Sequence, residues 1–397
     1  MIDLAKAQDL ILDATPVLAH ESVPVMDALE RVLVQDIYVA EDLPAADISA
    51  VDGYAVRCGA LDGASPETPV QLRIIGEAPA GKPCHGIVGA NEAVRIMTGG
   101  LIPQGADAVI KMEYTTEVEE TVACYASLSA GAGIRFRGDS LKCGDVALHA
   151  GEIVRPSTVG VLVSLKHAYV YVYRKPVVAI ISTGDELMEF HDAPAPGKAM
   201  SSNLHALAAQ VLTAGGRPLC MGIVGDSLED QKAVLTDALR TADVIITSGG
   251  TSRGKYDLTH KTFSSLGMET RFSNIFMKPG KPTIFGTIGK TLVFGLPGNP
   301  VAALLSFDQF VRPALLKMTG HRNPVDVFCD RFTQRPENDF FARLDAFNRK
   351  LGGNQKHVRP PQVPLESLPP IKPEEPEETE ADGHGMNCLP RKTAASQ

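Results

Sequence analysis

Several features that would place a protein in a simple class are missing from this sequence. No stretch of its 397 residues reaches the ~18 uninterrupted apolar residues of a membrane-spanning helix. The N-terminus, MIDLAKAQDLILDATPVL, lacks the basic segment and the cleavage site of a secretory signal. Positive charge is not in excess either, because 38 Lys and Arg stand against 47 Asp and Glu. We therefore expect a protein that binds neither membranes nor nucleic acids.

The cysteines lack any disulfide or metal-binding pattern. Seven are present, an odd number, and no two form a CxxC pair. This usage predicts reduced thiols in a cytoplasmic protein, with neither a disulfide framework nor a zinc site. Hydrophobic residues at 44% and charged residues at 21% are typical of a globular protein, and the length predicts two to four domains.

The second half of the chain contains a regular succession of strand and helix patterns. An apolar run at 177–181 predicts a buried strand, and a helix is predicted from Asn203 to a Gly-Gly pair at 215–216. Strands near 218–224 and 244–248 follow, with a helix at 229–240 between them. Alternating strands and helices predict a doubly wound, mainly parallel α/β sheet.

The first half has a different character. Residues 2–18 and 24–36 show helical periodicity and predict two helices. From 57 to 145, short alternating runs are separated by Gly and Pro, which predicts a small inserted β-domain. From 353 onward the chain is rich in Pro and Glu without periodicity, and we expect disorder there.

Three Gly- and Pro-rich loops lie between residues 247 and 300. In the first, Gly249 and Gly250 follow a predicted strand and allow close backbone approach to a ligand, and Ser248 and Ser252 add hydroxyls. The same loop leads to Asp257, which is placed to cap the next helix. Any single loop of this kind is more often plain turn chemistry.

The second and third loops add charge and a helix N-terminus. Prolines hold Lys278 and Lys281 in a stiff KPGKP turn, where two ammonium groups suit phosphate or another oxyanion. Asn299 is a good N-cap with Pro300 at the first helical position, so the amides of that helix point back at the loop. Together the three loops predict an oxyanion-binding site.

Carboxylates also follow the predicted strands. Asp185, Glu186, Asp226 and Asp257 lie at or beyond strand ends, where they can converge on one rim of the sheet. Carboxylate oxygens suit Mg²⁺, which bridges to phosphates. The alternative is that each acid merely caps a helix.

Two segments of the first half carry further candidates. Asp52 lies in the turn DISAVDGYA, and Thr98 begins the segment TGGLIPQGADAV. Arg135 and Arg137 share one side of an extended segment, although such pairs are usually solvated surface residues.

SGGTSRGKYD, KPGKP, GLPGNPVAALLSF, SAVDGYA and TGGLIPQGADAV resemble the signature motifs of the MoeA family of molybdopterin molybdenumtransferases, which is related to the E domain of gephyrin. The resemblance runs from the N-terminus to about residue 320. With the patterns above, it predicts a multidomain α/β protein. The expected divisions are an N-terminal α+β domain (1–56 and 146–176), an inserted β-domain (57–145), a molybdopterin-binding α/β domain (177–322), a remnant of a C-terminal β-domain (323–352) and a disordered tail (353–397).

The resemblance implies a molybdenum cofactor enzyme. It would insert molybdate into adenylylated molybdopterin with Mg²⁺, release AMP, act as a cytoplasmic homodimer and receive its pterin from the pterin-adenylylating enzyme of the same pathway. The implied catalytic residues are Asp52, Thr98, Arg135, Glu186, Asp226, Asp257 and Lys278. The implied cofactor-binding residues are Ser182, Gly184, Ser248, Gly249, Gly250, Ser252, Lys281, Pro297, Asn299 and Pro300. The implied metal ligands are Asp52, Glu186, Asp226 and Asp257.

The sequence departs from the family pattern in places that bear on activity. Ser140 stands where the family usually has an acid, with Asp139 as a possible substitute, and Asn274 stands where a lysine is usual. These departures and the short C-terminal region predict impaired activity. Two alternatives therefore stand beside the enzyme: a non-catalytic molybdopterin-binding scaffold, and a nucleotide- or sugar-phosphate-binding α/β enzyme.

Overall fold

The computed structural model describes residues 1–249 and 256–325, without the side chains of Tyr256 and Asp257. The predicted remnant at 323–352 lies almost wholly outside the described residues, and the predicted tail at 353–397 entirely so. The strands and helices up to residue 173 are, in chain order, α1 Leu4–Ala14, β1 His20–Pro24, β2 Ile37–Tyr38, β3 Ile48–Ser49, β4 Gly53–Val56, β5 Val70–Ala78, β6 Glu92–Ile96, β7 Ala108–Lys111, β8 Thr115–Val118, β9 Thr121–Cys124, β10 Ile134–Arg135, β11 Val146–Leu148, α2 Pro156–Ser164 and β12 Tyr169–Tyr173.

The remaining elements form the α/β part of the molecule. They are β13 Val177–Thr183, β14 Leu187–Met188, β15 Ala199–Met200, α3 Ser202–Thr213, β16 Arg217–Val224, α4 Leu228–Ala238, β17 Val244–Ser248, α5 Tyr256–Ser265, β18 Glu269–Phe272, β19 Ile284–Ile288, β20 Thr291–Leu296, α6 Pro300–Ser306 and α7 Arg312–Met318. A π-helical turn, Phe307–Val311, joins α6 to α7.

A six-stranded sheet in the order β16-β13-β17-β20-β19-β18 organises the α/β part. The first four strands are parallel, and β19 and β18 add antiparallel neighbours at one edge. Apolar side chains of β13 alternate between two cores, because successive residues of a strand face opposite sides. One core contains α1, α3, α6 and α7, and the other contains α4 and α5. The prediction of a doubly wound, mainly parallel sheet is therefore confirmed.

A second six-stranded sheet has the order β7-β4-β6-β5-β9-β8. Its strands are short and mostly antiparallel, and apolar residues pack on both faces. Strand β4 lies between β6 and β7, so its residues have backbone neighbours on both sides. This sheet is the β-rich element that the Gly- and Pro-punctuated sequence predicts.

Helix α1 forms as predicted, and it packs on the α/β core. Asp3 caps it by accepting a hydrogen bond from the Lys6 N–H at 2.7 Å. Ala7 and Ile11 are buried in the same cluster as α3 and α7, and Lys317 of α7 donates to the Leu12 carbonyl. The first helix thus contributes to the core of the second half of the chain.

The prediction of a helix at 24–36 was wrong. Only a short 3-10 turn forms there, Val25–Ala28. Glu30 then takes a positive φ of 62°, and Leu33 forms a β-bridge with Val172. The apolar residues whose spacing suggested a helix instead lie in a segment that pairs with distant parts of the chain.

No helix in the described ranges is long and apolar enough to cross a membrane. The cysteines in those ranges are free thiols, as predicted; they are Cys58, Cys84, Cys124, Cys143 and Cys220.

Candidate active site

Asp52 and Thr98 form a pair at one end of the second sheet. Asp52 precedes β4 and Thr98 follows β6, and these antiparallel strands pair Gly53 with Ile96, which brings the two residues together. The Thr98 N–H and hydroxyl both donate to Asp52 Oδ1, at 2.7 and 2.9 Å. These two bonds, the backbone one first, lower the pKa of the Asp52 carboxyl. Asp52 is therefore held as a carboxylate.

A small backbone framework connects this pair to Arg135. Strand β3 pairs antiparallel with β10, which sets Arg135 opposite Ile48. On its other side, the Ser49 N–H donates to the Gly100 carbonyl and the Gly99 N–H donates to the Ser49 carbonyl, both at 2.8 Å. Three loops that are far apart in sequence are thus joined by hydrogen bonds. We call Asp52, Thr98, Arg135 and Ser140 the β-domain site.

Within the β-domain site, Ser140 holds Arg135. Arg135 Nη2 donates to the Ser140 hydroxyl at 2.9 Å. Asp139, which the sequence offered as a substitute acid, does not take this place. Its Oδ2 accepts the Phe136 N–H at 2.7 Å and so closes its own turn.

Arg137 has different partners from Arg135. Its Nε donates to Asp42 Oδ2 at 2.6 Å, and its backbone N–H donates to Asp47 Oδ1 at 2.8 Å. The Cys143 N–H and the Arg137 guanidinium lower the pKa of the Asp42 carboxyl. The two arginines therefore do not act as one basic pair.

A second group of polar side chains lies at the carboxyl ends of the parallel strands. Ser182 of β13 is in register with Ser248 of β17. The Ser248 hydroxyl accepts from Asn203 Nδ2 at 2.7 Å and lies 3.3 Å from the Pro297 carbonyl, to which it donates. Asn203 Nδ2 also donates to the Gly298 carbonyl at 2.9 Å, which ties α3 to the loop before α6.

Two hydroxyls of this region are buried and unpaired. Ser182 is 1% exposed and Ser201 is 4% exposed, and neither side-chain oxygen has a hydrogen-bond partner among the described residues. The Asn203 Oδ1 is in the same condition. A buried polar atom without a partner costs about 1–3 kcal/mol, so this arrangement favours a polar ligand. We call Ser182, Ser201, Asn203, Ser248 and Pro297 the sheet-end site.

Backbone without side chains surrounds the sheet-end site. Gly249 has a φ of 106°, and a Cβ there would lie 2.3 Å from the Thr183 carbonyl oxygen. A Cβ at Gly298 would lie 3.4 Å from the Gly249 Cα. Gly184 has a φ of 149°, and a Cβ on it would lie 2.5 Å from a Glu186 carboxylate oxygen. Glycine is needed at position 249 because of the backbone overlap and the positive φ, and at position 184 because of its positive φ, whereas a Cβ at position 298 would make only ordinary contact.

The helix after the third loop begins as predicted. Asn299 accepts a hydrogen bond from the Ala302 N–H at 3.2 Å, and Pro300 occupies the first helical position of α6. Among the cofactor-binding candidates, Ser182, Ser248 and Pro297 are brought together directly.

The predicted carboxylates come together only in part. Asp185 and Asp226 lie at the ends of β13 and β16, where the Asp226 N–H donates to Asp185 Oδ1 at 3.0 Å. Glu186 lies against Gly184. Asp52 belongs to the other sheet, and the described residues contain no group of three or more His, Cys, Asp or Glu side chains that could hold a metal ion. The four-residue metal set stays a prediction.

The two lysines of the KPGKP loop are exposed, and Lys281 lines a cleft of about 450 Å³. The other residues that line this cleft are Met1, Ile2, Arg271, Phe272, Ser273 and Asn274. Lys281 therefore faces space that is shared with the N-terminal segment.

Some predicted residues cannot be placed. Gly250 and Ser252 lie outside the described residues, as does the side chain of Asp257. The backbone at position 257 lies in the first turn of α5 rather than before it, so the predicted N-cap was wrong.

Sequence reasoning missed Ser201 and Asn203. The sequence did contain a pattern that could have indicated them, namely the polar run Ser-Ser-Asn at the start of the first helix after β13. In an α/β fold, that helix begins beside the carboxyl end of its strand.

The chain matches two protein families over most of the described length. Residues 2–165 match the MoeA N-terminal region (domain I and II), and residues 179–317 match a probable molybdopterin binding domain. The first match contains the β-domain site, and the second contains the sheet-end site.

Individual relatives agree with these matches. The chain is 38% identical over 330 residues to the molybdopterin molybdenumtransferase of Bacillus subtilis (strain 168), covering 82% of this chain and 77% of the relative. It is 34% identical over 322 residues to the protein of the same name from Staphylococcus aureus (strain Mu50), covering 81% and 76%. A crystal structure of the molybdopterin biosynthesis MoeA protein from Pyrococcus horikoshii OT3 is similar with a TM-score of 0.70 at 32% identity, covering 82% of this chain and 81% of that one.

Proposed function

The chain belongs to the MoeA family of molybdopterin molybdenumtransferases, and we propose that it inserts molybdate into adenylylated molybdopterin and releases AMP. The observation that carries this proposal is the sheet-end site, where buried hydroxyls of Ser182 and Ser201 lack protein partners within the described ranges. A pterin phosphate offers the donors and acceptors that would satisfy them. The resemblance expected from the motifs is thus confirmed at the level of the family.

The β-domain site supplies chemistry that suits the cleavage of a phosphoanhydride. The Asp52 carboxylate, kept ionised by Thr98, can orient a water molecule and accept its proton. The Arg135 guanidinium can stabilise charge that develops on a phosphate or molybdate oxygen. Water attacks the adenylyl phosphorus and gives a proton to Asp52, the bond from that phosphorus to the bridging oxygen breaks, and AMP and the pterin phosphate separate.

Magnesium is part of this proposal. Asp226 and Glu186 would hold the ion, because Asp226 follows β16, Glu186 lies in the segment after β13, and carboxylates offer the hard oxygen donors that Mg²⁺ prefers. The bound ion would neutralise charge on the anhydride oxygens. Asp257 and Asp52 stay in the proposed set.

A homodimer, a cytoplasmic location and pterin delivery by the adenylylating enzyme of the pathway are also proposals. The family membership supports them, and the free cysteines agree with a reducing compartment.

Molybdate-dependent AMP release tests the proposal. The full chain is incubated with adenylylated molybdopterin, molybdate and Mg²⁺, and it is compared with Asp52→Asn and with Asp62→Asn, an exposed acid of the same half of the chain. We expect Asp52→Asn to slow release at least about 10²-fold and Asp62→Asn to match the wild type. A folded wild-type chain that releases no AMP would refute the enzyme and favour a pterin-binding scaffold. Equal rates for Asp52→Asn and wild type would remove Asp52 from the mechanism.

A further inference from the structure

Two arginines in one loop have partners of different charge. Arg137 donates to the carboxylate of Asp42 at 2.6 Å, and the two form an ion pair. Arg135, two residues earlier, donates to the hydroxyl of Ser140 at 2.9 Å. Both side chains are exposed, so the difference lies in their partners rather than in burial. The hydroxyl is neutral and the carboxylate is not.

The carboxylate nearest to Arg135 in sequence does not form an ion pair with it. That residue, Asp139, accepts a hydrogen bond from the Phe136 N–H in its own turn. Among the described residues, no carboxylate forms an ion pair with Arg135, although Arg137 on the same loop has one. A hydrogen bond to a neutral hydroxyl restrains the guanidinium without cancelling its charge. Arg135 therefore keeps a full positive charge toward its surroundings.

The position of Arg135 would allow its charge to attract an anionic substrate. The framework of β3, β10 and the Gly99-Gly100 backbone joins Arg135 to the loop of Asp52 and Thr98. Asp52 carries negative charge there, and an anionic substrate entering the β-domain site needs a cation that is not already paired. A carboxylate at position 140 would form a charge-assisted pair with Arg135 and would compete with that substrate.

We propose that Ser140 is a positioning residue for the anion of the β-domain site. Its hydroxyl orients the Arg135 guanidinium and leaves the whole charge available to a phosphate or molybdate oxygen. This inference rests on the proposed function, which supplies the anion.

Three substitutions at position 140 test this inference, with Arg137→Gln as the matched control from the same loop. Isothermal titration gives the Kd for adenylylated molybdopterin at several salt concentrations. We expect Ser140→Asp to weaken binding about tenfold or more and to flatten its salt dependence, because the new carboxylate neutralises Arg135. Ser140→Thr keeps the hydroxyl and should bind as the wild type does.

Ser140→Ala separates charge from orientation. It keeps the Arg135 charge but removes the restraint, so Kd should stay within about threefold while kcat for AMP release falls. Arg137→Gln should change Kd much less than Ser140→Asp does, because that arginine is paired with Asp42 rather than offered to the anion. Wild-type affinity and salt dependence in Ser140→Asp would overturn the inference. Equal weakening in Arg137→Gln would also overturn it, since the loop as a whole would then be responsible.

Inorganic pyrophosphate distinguishes this inference from the proposed function. If the wild type releases no AMP but Ser140→Asp still weakens pyrophosphate binding, the proposed function fails and the charge assignment stands. If the wild type releases AMP and Ser140→Asp binds both ligands as the wild type does, the inference alone fails. Circular dichroism on each variant confirms that the exposed substitutions leave the chain folded.

Discussion

At the scale of single residues, the position of Asp52 depends on a neighbour without a side chain. Gly53 opens β4, the central strand between β6 and β7. A Cβ there would lie 1.9 Å from the Ile110 carbonyl oxygen, a backbone atom that is fixed by sheet pairing. The strand end that presents Asp52 to Thr98 can therefore form only with glycine at position 53.

Gly53→Ala tests this requirement. We expect it to lower the free energy of unfolding by about 3 kcal/mol or more, because the strand must shift to relieve the overlap. Gly59→Ala is the control, since nothing lies within 4 Å of the Cβ that it adds. Urea denaturation measures both variants. Equal stability of the two would show that β4 can move without cost.

A second prediction at this scale concerns the unpaired hydroxyl of Ser182. Ser182→Ala should weaken binding of adenylylated molybdopterin about tenfold and should leave stability unchanged or raised, because the hydroxyl has no described protein partner to lose. Thr247→Val is the control. The Thr247 hydroxyl is also buried and unpaired among the described residues. Thr247 directly precedes Ser248 in β17, so its side chain lies on the opposite face of the sheet. Similar Kd values for Ser182→Ala and wild type would argue against a ligand at this hydroxyl.

At the scale of secondary structure, α1 is an unusual element, because it begins the chain yet packs against the last helix of the described fold. Ile11 is 1% exposed and lies in the core cluster that includes α3 and α7. The N-terminal segment therefore contributes to the stability of the α/β part.

Ile11→Ala measures that contribution. Removal of its buried side chain should cost about 2–4 kcal/mol of unfolding free energy. Asp9→Ala, on the exposed side of the same helix, should change stability by less than about 0.5 kcal/mol. If thermal and denaturant unfolding of Ile11→Ala match those of the wild type, the docking of α1 is not part of the cooperative fold.

The turn after α7 contains a histidine whose charge opposes folding. His321 Nδ1 lies 3.2 Å from the Leu316 carbonyl oxygen and 3.1 Å from the Thr319 hydroxyl, and burial lowers the pKa of its imidazole. The unfolded chain, with a pKa of about 6.5, binds the proton more readily than the folded chain does. Stability should therefore be fully present above about pH 6.5 and should fall as the pH drops toward the folded pKa.

The unfolding free energy measured between pH 8 and pH 5 checks this sign. His321→Gln should remove part of the acid-dependent loss, whereas His191→Gln, at an exposed histidine, should keep the wild-type slope. A slope in His321→Gln as steep as that of the wild type would assign the acid sensitivity to other groups.

At the scale of the whole molecule, the two candidate sites belong to two sheets that are built on different principles. The β-domain site lies on loops of a mostly antiparallel sheet, and the sheet-end site lies where parallel strands end beside helix N-termini. Separate scaffolds allow one site to hold an ionised acid and an arginine that is bound to a neutral hydroxyl, while the other offers buried hydroxyls. This division agrees with a reaction that handles an anhydride and a pterin together.

The sequence by itself determined the elements and the loops of the α/β part. Apolar runs such as 244–248 became buried strands, and Asn299-Pro300 began a helix, because local composition is enough to define a buried strand or a capped helix. The resemblance to the MoeA family also implied Asp52 and Thr98 as site residues; the structure pairs their side chains, and their role in the reaction stays a prediction.

Only the tertiary structure decided which side chains meet. Residues 24–36 were wrongly predicted as a helix because Leu33 pairs with Val172, a partner that no local pattern can specify. Arg135 and Arg137 have the same chemistry in sequence, yet one binds a hydroxyl and the other a carboxylate that comes from Asp42. Pairing of this kind depends on which distant loops the backbone brings together, and that is a property of the folded chain.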